Sequence, residues 1–99
     1  MHDTRRRQRI EEALRTRLQA VHVEVVDDSA RHVGHPGARG GGHFNAVVVS
    51  QRFAGLSRVD AQRLVYEALR DEMVTDIHAL QLKTLTPEAW QAGKRPHRG

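Results

Sequence analysis

The chain has no cysteine. Disulfides, thiolate zinc sites, a thiol nucleophile and an iron–sulfur cluster held by its own cysteines are thereby excluded, and any sulfur ligand must come from another molecule. Aromatic residues are few, namely Phe44, Phe53, Tyr66 and Trp90, so the core must be mainly aliphatic, with those four expected to join it. No apolar run approaches the roughly 18 residues of a membrane span. The basic start, Met1 to Ile10, is followed by no apolar stretch of the kind a secretory signal needs. The expected location is cytoplasmic, with no membrane partner. Ninety-nine residues leave room for one domain and little interior for a large substrate cleft.

What the chain has is an uneven charge. The net +4 divides into +3 over residues 1–20, −2 over 21–90 and +3 over 91–99. A nucleic-acid surface needs clustered cations on one face. The available cluster is Arg5, Arg6, Arg7 and Arg9 with the tail residues Lys94, Arg95 and Arg98; the plainer reading is a solvated helix start and a solvated tail. Histidine is the second abundance, with seven in the chain and His32, His35 and His43 close together.

Periodicity sets the elements. Ile10, Leu14 and Leu18, with Ala13 alongside, mark an amphipathic helix from Thr4 to Ala20. Val21, Val23 and Val25 alternate with His22 and Glu24 as a half-buried strand that Asp27 and Asp28 end. Residues 31–42 hold five glycines and a proline and read as a loop rich in imidazole. Phe44, Ala46 and Val48 share one face of a second strand, expected to pair antiparallel with the first. Ser57 to Asp60 is a capping box, so a helix begins near Arg58, buries Leu64, Val65, Ala68 and Leu69, and runs to about Met73. Ile77 to Leu85 alternates as a third strand, and strict alternation puts His78 on the side of Leu80. Thr86 and Pro87 open a short helix through Trp90. The order α–β–β–α–β–α implies an α+β, two-layer single domain, a three-stranded sheet with helices on one face. Its core spans about residues 5–91, and residues 92–99 form a basic tail expected to be disordered.

The glycine loop leads into a strand with no following Lys, so it fits neither a Walker loop nor a dinucleotide fingerprint. No nucleophile elbow is present, and the chain is read as a binding protein, not an enzyme. Metal ligation suits the histidines better, because imidazole is a borderline ligand for zinc, copper, nickel and iron. A solvated loop accounts equally for His32, His35 and His43, and a structural role for His78.

Beyond these readings, the stretch Val25-Val26-Asp27-Asp28-Ser29-Ala30-Arg31-His32, followed by a glycine-rich loop and His43-Phe44, resembles the BolA family. So do Val47-Val48-Val49-Ser50-Gln51-Arg52-Phe53-Ala54-Gly55-Leu56-Ser57, Arg63-Leu64-Val65-Tyr66 and Ile77-His78-Ala79-Leu80. The resemblance spans about Ile10 to Trp90 and implies a fold similar to the class II K-homology domain. It implies a heterodimer with a monothiol glutaredoxin, sharing a 2Fe-2S cluster to which the glutaredoxin and glutathione bring thiolates, in iron–sulfur assembly, trafficking or iron regulation. Alone, the chain would hold no cofactor and be a monomer or weak homodimer. His78 matches the family's C-terminal histidine ligand. The Asp-x-Ser-x-x-His register makes His32 the loop ligand, with His35 and His43 as competitors. The family also implies an alternative, a DNA-binding transcriptional regulator of stress response and morphology. Its contacts here would be Arg5, Arg6, Arg7, Arg9 and Arg63, binding weakly. The family's Arg-His-Arg in the second helix is reduced here to Ala61-Gln62-Arg63, which weighs against that alternative.

Overall fold

The computed structural model describes residues 4–28 and 42–94. Its elements are α1 (Thr4–Arg17), β1 (His22–Asp27), β2 (Gly42–Val49), a 3-10 turn (Gln51–Phe53), α2 (Arg58–Ala68), α3 (Arg70–Thr75), β3 (Ile77–Leu85) and α4 (Pro87–Lys94). Every expected element is present in the expected order. The sheet order is β1-β2-β3, antiparallel between β1 and β2 and parallel between β2 and β3. A parallel neighbour requires a crossover, which α2 and α3 supply.

One apolar cluster holds the two layers together. Ile10, Ala13, Leu14 and Leu18 of the first helical stretch meet Val23 and Val25 of β1, Phe44, Ala46 and Val48 of β2, and Ala61, Val65 and Leu69 across the top. The two alternating strands bury the residues that period two assigns to the inner face. Ser50, fully buried, donates from Oγ to the Leu18 carbonyl at 2.7 Å, so its polar atom enters the core satisfied. The turn before α2 depends on Gly55, whose φ of +79° is a left-handed value that a side chain resists. Ser57 Oγ then accepts the Asp60 N–H at 3.1 Å, as a helix cap should.

Four expectations change. The helix expected to run from Arg58 to Met73 is broken, because Leu69 leaves helical dihedrals (φ −103°, ψ 15°) as its side chain enters the core. Of the four aromatics, Phe44 and Phe53 are buried, whereas Tyr66 is exposed and its hydroxyl reaches the Leu80 carbonyl at 3.5 Å. Trp90 is half-buried and stacks on His22, with ring centroids 4.6 Å apart and planes 22° apart. Val49, the register partner of His22, is fully buried although it alternates away from the core residue Val48. Finally, α4 continues to Lys94, past the expected start of the tail. The tail residues Arg95 and Arg98 lie outside the described residues. Among the described residues, no helix is long and apolar enough to cross a membrane.

Candidate metal centre

The pairing of β2 with β3 contains one irregularity. Gly42 is opposite Ile77, and the next pair is His43 with Ala79, so His78 is an extra residue with no register partner. A bulge of this kind shifts the alternation by one and re-aims a side chain. The expectation that His78 shares the side of Leu80 is thereby corrected. Ile77 is buried, His78 is exposed, and the His78 ring lies against the ring of His43, with centroids 5.2 Å apart and planes inclined by 52°. His43 is positioned by β2, where it alternates with the buried Phe44 and so faces outward.

The surroundings of this pair are polar. Asp28 donates its N–H to the His43 carbonyl at 2.7 Å, and its carboxylate accepts from Asn45 Nδ2 at 2.9 Å. A cavity of about 70 Å³ is lined by Asp28, His43, Phe44, Asn45, Ala79 and Gln81. Asp28 and Gly42, at the borders of positions 29–41, both lie at this end of the sheet. His32 and His35 are outside the described residues. Of the loop candidates, the structure therefore brings His43 to His78.

The donor set can be tested against a metal by size. A ligating imidazole nitrogen sits about 2.1 Å from a tetrahedral ion, and its ring centroid about 1.1 Å farther out, so two rings sharing one ion have centroids about 5 Å apart. The observed 5.2 Å fits. Among the described residues no group of three or more His, Cys, Asp or Glu is close enough to form a complete metal site. Two nitrogen donors and no thiolate make half a coordination sphere.

The arginines proposed for nucleic-acid contact are largely engaged within the protein. Arg9 holds Asp76 through Nη2 to Oδ1 at 2.6 Å and Nε to Oδ2 at 3.2 Å, and Arg6 Nε approaches the same carboxylate at 3.8 Å. Arg7 pairs with Glu11 at 2.9 Å, and Arg63 faces Asp60 at 3.7 Å. Arg5 is exposed on α1. The hydrogen bonds from Arg9 hold the Asp76 carboxyl below the usual carboxylate range against the opposing effect of burial. The charge of Arg9, the Thr75 hydroxyl and the charge of Arg6 act in the same direction as those bonds. Sequence reasoning passed over Asp76, seeing only the end of a helix. The available signal was an acid inside an otherwise apolar junction, Met73 to Ile77.

With this geometry in view, comparison with known proteins defines the class. The BolA-like protein family profile matches residues 14–89. The chain belongs to the BolA family. Over 85 residues it is 44% identical to the DNA-binding transcriptional regulator BolA of Escherichia coli, covering 86% of this chain and 79% of that protein. It is 41% identical over 86 residues to BolA-like protein 1 of Bos taurus, covering 83% of this chain and 62% of that longer protein. Among solved structures, the BolA domain of SufE1 from Arabidopsis thaliana is similar with a TM-score of 0.74 at 40% identity. That match covers 89% of this chain and 98% of the domain.

Proposed function

We propose that this chain partners a monothiol glutaredoxin in sharing a 2Fe-2S cluster, with His78 and His43 as its imidazole ligands. The observation that supports the reading is the bulge that brings those two rings to a separation compatible with one shared metal ion. The chain contains no cysteine, so thiolates must come from the partner and glutathione. When bound, the cluster would supply one-electron and iron-transfer chemistry, and imidazole in place of thiolate on one iron raises its potential. The chain's own part is to present two imidazole nitrogen donors at one end of the sheet.

The test is a titration of the full chain with cluster-loaded monothiol glutaredoxin, followed by visible absorption and circular dichroism. A one-to-one spectral change is expected, abolished in His78→Ala and altered in His43→Ala, with His32→Ala and His35→Ala retaining the wild-type spectrum. Retention of that spectrum by His43→Ala and its loss in His32→Ala would return the ligand role to His32.

The second reading is DNA-binding regulation, favoured by the name of the 44% identical Escherichia coli relative. Against it stands the engagement of Arg6, Arg7, Arg9 and Arg63 with carboxylates of this same chain.

A further inference from the structure

We infer that the ion pair of Arg9 and Asp76 is a positioning clamp for the imidazoles of His43 and His78, an inference that rests on reading those imidazoles as ligands. Asp76 joins three elements at one point. Its N–H donates to the Glu72 carbonyl at 2.7 Å, ending α3. Its own carbonyl accepts the Gly42 N–H at 3.0 Å, fastening the start of β2. Its carboxylate takes two bonds from Arg9 of α1 and one, at 3.2 Å, from the Thr75 hydroxyl. His43 follows Gly42 directly, and His78 stands two residues after Asp76. Both strands therefore leave this fastening immediately before the bulge that sets the ring separation.

The chemistry of the pair suits orientation more than stability. Asp76 is 6% exposed and, with Ser50, is one of two buried polar residues among those described. An apolar residue there would often serve stability as well, because removing a carboxylate from water offsets much of what pairing returns. What a planar guanidinium adds is direction, since two parallel bonds fix both groups in position and angle. The apolar stripe of α1 sets its sliding and rotation loosely, and Arg17 adds bonds to the Ala68 carbonyl and Glu72 at its far end. The two bonds to Asp76 set them from the α1 side, and the Gly42 bond transmits that placement to β2. Arg9 thereby acts within the protein as a positioning residue, not as a contact for an external phosphate.

The test uses isotopically labelled full-length chain and the ring C–H resonances of its histidines. Four proteins are compared: wild type, Arg9→Ala, Arg9→Lys, and Arg15→Ala, which removes one charge from the same helix at an exposed position. Arg9→Ala is expected to shift the His43 and His78 ring signals and weaken the cross-relaxation between the two rings. His22, stacked on Trp90 at the other end of the sheet, should not move. Arg9→Lys should restore the signals in part and Arg15→Ala should leave them at wild-type values. In the titration with cluster-loaded glutaredoxin, Arg9→Ala should bind about tenfold more weakly, the scale of a lost supporting contact behind a metal ligand. Unchanged ring signals and cross-relaxation in a folded Arg9→Ala protein would overturn the clamp, even if its melting temperature fell. Should Arg9→Ala not fold, Asp76→Asn carries the same readouts and is judged by the same signals. If His78→Ala keeps the wild-type cluster spectrum, the ligand reading fails. The ring signals still decide whether Arg9 positions the rings.

Discussion

Among the described residues, Asp76 couples stability to pH through its ion pair. Its folded pKa is lowered, first by the Arg9 hydrogen bonds, so the folded state binds its proton less readily than the unfolded chain. Its stabilising contribution is complete above the unfolded value of about 3.9 and is lost as the pH falls from there through the folded pKa. Asp76→Asn is expected to lower stability near neutrality by about 1–2 kcal/mol, a range that discounts for solvent around the half-exposed Arg9. The deficit against wild type should shrink towards pH 3. Calorimetric melting at several pH values between 7 and 3 checks this, and a deficit constant over that range would show that the carboxylate charge is not the source. Ser50 differs in kind, because its hydroxyl is satisfied by the Leu18 carbonyl and has no titration in this range.

At the scale of elements, α4 meets β1 through a stacked ring pair. Trp90 stacks on His22, and His22 Nε2 lies 2.8 Å from the Glu24 carboxylate, so the imidazole is held between a ring and an acid. His22→Ala should release Trp90 towards water, shifting its emission to longer wavelength, and lower stability by about 0.5–1.5 kcal/mol. Tryptophan fluorescence and urea unfolding measure both, and unchanged emission would mean that α4 is held by other contacts. The same scale shows what could be read in the residues beforehand. Val23 and Val25, or Phe44, Ala46 and Val48, announce their strands because the inner face repeats every second residue. The α2 and α3 break was hidden because Leu64, Val65, Ala68 and Leu69 keep a helical period across it. The bulge at His78 was hidden for another reason: it belongs to the pairing of two strands, and no single strand's pattern contains it. Resemblance alone identified His78, and the register alone set His43 beside it. The clamp was hidden likewise, since Arg9 and Asp76 lie 67 positions apart.

Over the described residues of the whole fold, the positive charge is less available than its count suggests. Arg6, Arg7, Arg9, Arg17 and Arg63 all face carboxylates within 4 Å. Each phosphate neutralised contributes about −0.9 to the slope of log affinity against log salt. Replacing Arg6, Arg7 and Arg63 together by alanine should therefore change the slope for duplex DNA by less than about 1. Fluorescence anisotropy over a range of salt concentrations measures it. A slope that loses about 2 or more in that triple variant would mean that the internal pairs open to receive the backbone, and would favour the regulator reading.

The parallel pairing of β2 with β3 also has a consequence in time. The strands that carry His43 and His78 are joined only through α2 and α3, so their contact is distant along the chain. Such pairings close late, because the intervening segment must first be ordered. During synthesis β1 and β2 emerge well before β3, and a chain still lacking β3 has one imidazole of the pair and no bulge. The proposed imidazole pair is thus assembled only after β3 has been made and has paired with β2.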